Sequence, residues 1–439
     1  MSIYELPDKQ YEILSLAEHA FHGKDYQTAF DLNLRLGDMY YDHYNYSTAL
    51  ELMNRAKISA ESLNDRRSMA VAYQRTGKIL QELYDYPKSL KNYKQSLAIS
   101  QELGNRGDEA LILHQMGMVY HKANQPDGAL DYYKQSLAIE QELGNRSGAS
   151  STLHQIGMIY QDTNRYAEAL DYYKQSLKIK RELGNRAGEA STLHQIGMVY
   201  QDKNRSDDAL DYYNQSLAIS QELGNRAGEA STLHQIGKVY QDKNRSDDAL
   251  DYYNQSLAIK RELGNRAGEA LTLHQIGMVY QDKNRSDDAL DYYNQSLAIK
   301  RELGNRAGEA LTLHQIGMVY QDKNRSDDAL DYYNQSLAIK RELGNRAGEV
   351  FTLDQMGRLF GDMSKFDDCV YHFCNALSIA VPNQMPVSDQ ILFNLKIVHD
   401  QMGEEPFTAA VNEAFQGDEL SVFVIQEVKR RSEEGRNSI

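Results

Sequence analysis

Apolar and small residues recur along most of this chain at spacings of three and four, and the whole pattern returns every 40 residues. In "LHQIGMVYQD" from 193, Leu193, Ile196, Gly197 and Tyr200 fall on one face of a helix. Ala209, Leu210, Tyr213, Ser216, Leu217 and Ile219 make a second such stripe. The intervening "KNRS" predicts a turn, with Ser206 as N-cap and Asp207 and Asp208 in the first turn of the second helix. Runs such as "KRELGN" from 260 predict its end: basic residues meet the negative pole of the helix, and glycine leaves it left-handed. Residues 265–304 return unchanged at 305–344.

Small Gly recurs at 37, 77, 117, 157, 197, 237, 277, 317 and 357, where two helices should approach most closely. Twelve residues on stands a small residue (Ala49, Ser89, then Ala129 to Ala329 by forties, and Cys369), and four later an aromatic, from Tyr93 to Tyr333 and Phe373, with Met53 the exception. A tyrosine three after the glycine is kept from Tyr120 to Tyr320, whereas Leu80 departs from it. This pattern resembles the tetratricopeptide repeat (TPR), in the 40-residue form of kinesin light chains and Pins-type adaptors. The resemblance implies an all-α fold, a right-handed α-solenoid of about nine helix-turn-helix repeats. Two departures concern packing angles: a leucine such as Leu193 replaces the family's bulky first-helix aromatic, and its closing proline is missing.

The expected division is a capping helix in 1–24, nine units in 25–380 and a divergent helical cap in 381–439. Tyr11, Leu14, Ala17 and Phe21 form the stripe of the first cap. Helices near 388–402, 406–416 and 418–434 make the second, the last with Leu420, Phe423, Val424 and Val428 inward. Atypical ends are what a stacked array needs to cover its terminal faces.

Composition narrows the function. A net charge of -15 argues against nucleic acid or an anionic membrane as partner, since either needs a concentrated basic surface. The start "MSIYELPDKQ" lacks the basic and apolar regions of a secretory signal, so a cytoplasmic location is expected. Cys369 and Cys374, five apart, suit neither a disulfide framework nor a metal site.

By resemblance, positions two, five, nine, twelve and thirteen of each first helix line a concave groove. The fifth is His114, His154, His194, His234, His274 and His314; the ninth is Met118, Met158, Met198, Lys238, Met278, Met318 and Arg358. The twelfth is His121, then Gln161, Gln201, Gln241, Gln281 and Gln321, followed by carboxylates such as Asp202, Asp242 and Asp282. Histidine invites a metal reading, but a metal ligand must lie about 2 Å from its ion, and neighbouring solenoid helices stand on the order of 10 Å apart. Catalytic groups must converge in one pocket, and repetition spreads them out. Neither cofactor nor metal is expected, and the histidines are either a recognition ladder or polar residues copied by duplication.

The expected function is a non-enzymatic scaffold that presents its groove to a protein or peptide. Two alternatives are a sensor or regulatory subunit for a separately encoded protease, ATPase or toxin, and a structural solenoid that self-assembles into homo-oligomers through its caps. Because the central rungs barely differ, specific readout is expected at the divergent ends: Phe351, Asp354 and Arg358 at one, and Leu34, Asp38, Tyr73 and Gln74 at the other.

Overall fold

The computed structural model describes the backbone of residues 6–436 and the side chains of residues 12–433. Tyr11, first in the expected stripe of the N-terminal cap, has its side chain outside that range. Among the described residues there are 22 α-helices and no strand. They form two compact units, residues 1–225 and 226–439.

In unit 1, Leu6–His22 precedes helix pairs that run from Tyr26–Asp42 with Tyr46–Leu63 to Arg186–Asp202 with Ser206–Glu222. In unit 2, pairs run from Arg226–Asp242 with Ser246–Glu262 to Arg346–Asp362 with Phe366–Ala380. Val387–Met402, Glu404–Ala414 and Glu419–Arg436 follow.

Each pair closes where the sequence places its glycine. A Cβ on Gly197 would stand 2.7 Å from Cδ1 of Tyr213, and the same holds for Gly277 against Tyr293. Gly37 faces the Met53 side chain and Gly357 the Phe373 ring. The aromatic therefore lies flat on bare backbone, and its ring is fully buried from Tyr93 to Tyr333. A serine three residues beyond the ring fastens the pair again: Ser216 Oγ donates to Ala190 O at 2.8 Å, and Ser296 Oγ to Ala270 O at 2.7 Å.

The turns are also repeated. Gly184 (φ 67°) and Gly264 (φ 64°) are left-handed as expected. Asn185 then caps the next first helix, its Oδ1 accepting from Gly188 N at 2.9 Å. Within a pair the left-handed residue is asparagine, for example Asn204 at φ 54°. Ser206 is the first helical residue and not the N-cap; Arg205 holds that place without a side-chain cap bond. Its guanidinium instead pairs with Asp208 at 2.8 Å and covers the Tyr200 ring at 4.8 Å. That one contact anchors the helix start and fills the space above the aromatic.

Successive pairs are tied at the opposite edge by charge. Arg181 of the preceding pair bonds Glu189 at 2.8 Å, and Arg186 carries the network on across its own pair, bonding Glu189 in its own helix and Glu222 of the second helix at 2.6 Å. Glu189 is buried, and the two guanidiniums outweigh its desolvation and hold its carboxyl below the usual range. Unit 2 repeats the arrangement through Arg261, Arg266, Glu269 and Glu302.

In the last helix Val424 and Val428 are buried, but Phe423 is exposed and drops out of the expected stripe. Ser421 takes the inward position one turn earlier. Phe407 and Val411 of the preceding helix belong to the same core, which continues into the last repeats through Leu395, Phe373 and Leu353.

Substituting Gly197 with leucine forces a side chain into the seat of the Tyr213 ring. It should cost about 1–3 kcal/mol, the usual penalty for overpacking. Circular dichroism melting of G197L beside the parent checks this, and equal stability would contradict the packing.

Candidate binding face and its buried supports

The fifth-position histidines are less open than a recognition ladder would be. His154 and His314 are 9% and 3% exposed, and the others are half-buried. Each ring packs on the tyrosine nineteen residues later in its own pair, at 5.2 to 5.4 Å between centroids from His114–Tyr133 to His314–Tyr333. The other edge meets the next repeat. His154 Nδ1 is 3.1 Å from Thr192 Oγ1, His234 Nδ1 is 3.2 Å from Thr272 Oγ1, and His314 Nδ1 is 3.3 Å from Thr352 Oγ1.

A lysine meets the same threonine. Lys180 Nζ donates to Thr192 Oγ1 at 2.8 Å, Lys300 to Thr312 at 2.7 Å and Lys340 to Thr352 at 2.6 Å. Thr192 Oγ1 is also 2.9 Å from Gly188 O, to which it donates. With that proton committed, the threonine oxygen accepts from both lysine and imidazole. These lysines, expected only to face the negative end of their helix, are buried, at 2% to 7% exposure for Lys180, Lys260, Lys300 and Lys340. Burial lowers each of their pKa values to about 8. Burial, helped by the nearby ammonium where one is present, also lowers the histidines, His114 and His194 to about 4 and His154, His234, His274 and His314 to about 3.

The twelfth and thirteenth positions are likewise joined across repeats. Tyr173 donates to Gln161 Oε1 at 3.0 Å, and Gln161 Nε2 donates to Asp202 of the next repeat at 3.3 Å. Gln241 to Asp282, Gln281 to Asp322 and Gln321 to Asp362 follow the same form. His121 replaces the amide once and lies 2.7 Å from Asp162. Asp202, Asp242 and Asp282 stay exposed on this face, as do Lys238 and Arg358, while Met158, Met198, Met278 and Met318 are half-buried.

Asp354, expected as a readout residue, is buried at 2% exposure. It is bonded to Arg358 at 2.9 Å and Asn394 at 3.2 Å, so it joins the last repeat to the helix that follows. Gln74, Leu34 and Asp38 are half-buried, the last 3.3 Å from Arg75.

The second position carries open apolar side chains. Leu271 and Leu311 are each 56% exposed and Phe351 46%, with the Phe351 ring 4.8 Å from His314. Leu111 occupies the same place in unit 1, where Ser151 and Ser191 also stand exposed. Sequence reasoning passed over these leucines. The signal was present, since this is one of few positions at which otherwise matching repeats differ, serine at 191 and 231 but leucine at 271 and 311.

A family model, tetratricopeptide repeat, matches in seven overlapping windows from 68–142 to 308–381. The chain belongs to the tetratricopeptide repeat family. No curated protein matches it in sequence. Among solved structures it is similar to a STAND protein with a tetratricopeptide repeat sensor from Pyrococcus horikoshii, with TM-score 0.60, 14% identity, and coverage of 86% of this chain and 57% of that one. It is also similar to the apo form of the quorum sensor NprR from B. thuringiensis, with TM-score 0.57, 14% identity, and coverage of 79% and 97%. A third is aspartyl phosphate phosphatase F from Bacillus subtilis, with TM-score 0.55, 12% identity, and coverage of 76% and 94%.

Two expectations follow from the buried groups. The unfolded chain takes protons on histidine near the ordinary value of 6.5, but the folded chain only near 3 to 4. Histidine-dependent stability is therefore complete above pH 6.5 and is lost as pH falls toward 3. Melting temperatures recorded from pH 7 to 4 should drop, and less in a variant with His234, His274 and His314 changed to glutamine. The lysines act in a different window: with a folded value of about 8 against 10.5 unfolded, they oppose folding most below pH 8 and progressively less toward 10.5. Lys300→Met should raise stability at pH 7 by about 1–2 kcal/mol, allowing for partial screening of the ammonium. Urea unfolding at pH 7 and 9.5 checks both the sign and the smaller gain at the higher pH.

Proposed function

We propose that this protein is a non-enzymatic interaction scaffold that takes a peptide or partner protein along the exposed face of its first helices. TPR folds are typically interaction scaffolds without catalysis, and the chain belongs to that family over most of its length. The observation that carries the reading is the row of Leu271, Leu311 and Phe351, large apolar side chains left open on three successive first helices that also carry exposed or half-buried polar groups farther along. Exposed apolar groups arranged on one face and rimmed by charge are the usual mark of an interaction surface. The expected groove residues enter this reading in two roles. The methionines, Lys238, Arg358 and the exposed aspartates supply contacts, whereas the histidines, glutamines and Asp354 hold the repeats in register beneath them. We further propose the division into caps at 1–24 and 381–439 around nine units.

The second reading, a sensor or regulatory subunit for another chain, draws on the likeness in fold to the STAND protein with a tetratricopeptide repeat sensor. Both readings require a partner on the same face. The test compares affinity capture from the native cell by the parent and by a Leu271→Lys/Leu311→Lys variant, with melting curves of both. A partner held by the parent and lost by an equally stable variant is the expected outcome. Equal capture by both would remove the apolar row from the function.

A further inference from the structure

Unit 1 contains a cavity of about 460 Å³ between the second helices Tyr46–Leu63 and Tyr86–Glu102, above the first helix Arg66–Glu82. Leu50, Asn54, Lys57, Tyr73, Thr76, Leu80, Lys88, Lys91, Asn92 and Gln95 line it, and none of them is acidic. In the later repeats the same space is filled. Tyr120 stacks on Tyr132 at 5.1 Å, Tyr160 on Tyr172 at 5.3 Å and Tyr200 on Tyr212 at 5.3 Å. The positions equivalent to Tyr200 and Tyr212 are Leu80 and Asn92 here, so both halves of the stack are gone.

The other lining positions change together with that pair. Lys57 stands where Leu177 is buried, and Thr76 where Ile196 is buried. Lys88 and Lys91 replace Asp208 and Asp211. The ten equivalent positions 120 residues on hold two carboxylates, Asp208 and Asp211, and one lysine, Lys174 in place of Asn54, whereas the lining here holds three lysines and no carboxylate. In a chain of net charge -15 this reversal is local and is confined to the one place where the filling rings are absent.

The lysines are also only partly spent. Lys57 Nζ is 3.3 Å from Asn54 Oδ1 and stands 5.7 Å from the Tyr73 ring centroid, and neither partner is charged. Lys88 pairs with Asp85 at 2.7 Å on the exposed rim. Lys91 pairs with no carboxylate among the described residues. Tyr73 donates its hydroxyl outward to Glu61 at 3.0 Å, leaving its ring as the apolar side of the cavity.

We propose that this cavity is a binding site for a small, multiply charged oxyanion, an organic polycarboxylate or a phosphate compound, held by Lys57 and Lys91 with Asn54, Asn92 and Gln95 as neutral donors. Its volume falls in the range of small-molecule pockets, about 300–1,000 Å³, and hydrogen bonds from ammonium groups to an anion are the strong, charge-assisted kind. The site lies between second helices and so is separate from the face proposed for partners, which the first helices carry.

The test is calorimetric titration of the full chain with citrate and, separately, with pyrophosphate, each against sodium chloride of equal ionic strength. Two variants restore what the neighbouring repeats already contain: Leu80→Tyr/Asn92→Tyr rebuilds the stack, and Lys91→Asp restores the carboxylate. The expected result is saturable one-site binding of at least one probe by the parent. The double variant should lose it, and K91D should bind at least roughly tenfold more weakly, as loss of a charge-assisted contact implies. Melting curves should show the double variant folded and no less stable than the parent, because its new rings enter space that rings occupy elsewhere. Binding of equal strength in the parent and both variants would place the anion elsewhere and overturn the proposal. So would the absence of saturable heat with both probes.

Discussion

An aromatic ring lying on the bare backbone of a glycine sets the separation of the two helices in every pair after the first, where Met53 takes its place, and the other contacts of the repeat are built at that separation. With Tyr213 seated on Gly197, Ser216 comes within 2.8 Å of the Ala190 carbonyl, and the tyrosine hydroxyl reaches across the pair toward the twelfth-position amide, as Tyr173 does to Gln161 at 3.0 Å. A single added Cβ at the glycine would meet the ring at 2.7 Å, so this spacing tolerates little adjustment. The ring contributes buried area, and the glycine contributes the absence that makes the area available.

Between repeats, an apolar core such as Leu250 and Leu257 against Leu273 and Ile276 is joined by a repeated set of polar contacts. Thr192 collects a lysine and a histidine from the preceding pair, Gln161 reaches Asp202, and Arg181 reaches Glu189. Polar contacts of defined geometry fix the register between neighbours, whereas an apolar stripe repeated without change would accept a slip. Burying an ammonium with only hydroxyl and imidazole neighbours is costly, and the cost recurs at Lys180, Lys260, Lys300 and Lys340. The same burial ties the expected loss of stability in acid to the histidines and the expected relief at high pH to the lysines, through groups that need touch no ligand.

Departures from the repeat are therefore informative in proportion to how rigid the repeat is. Serine against leucine at the second position alters only the exposed face, and there it distinguishes Ser191 from Leu271 and Leu311. The cluster at Lys57, Thr76, Leu80, Lys88, Lys91 and Asn92 removes rings and reverses charge at one location. Scattered drift would spread such changes among unrelated faces. Here they line one cavity.

Helix positions, the glycine approach, the left-handed exits and the family were legible in the sequence, because each depends on residues close together in one repeat and is written several times over. The status of the polar ladder was not. A histidine at the fifth position of a helix points toward the groove whether it is free or covered, and only the neighbouring repeat, bringing Thr192 to His154 and Thr352 to His314, decides that it is covered. Asp354 is buried for the same reason, since Asn394 closes over it from the helix beyond the last pair. The sequence pattern reports the period along a helix, and that period determines which side chains share a face. Burial and pKa depend on what a second helix places against that face, at sequence separations near 40, and that placement was decided by tertiary packing.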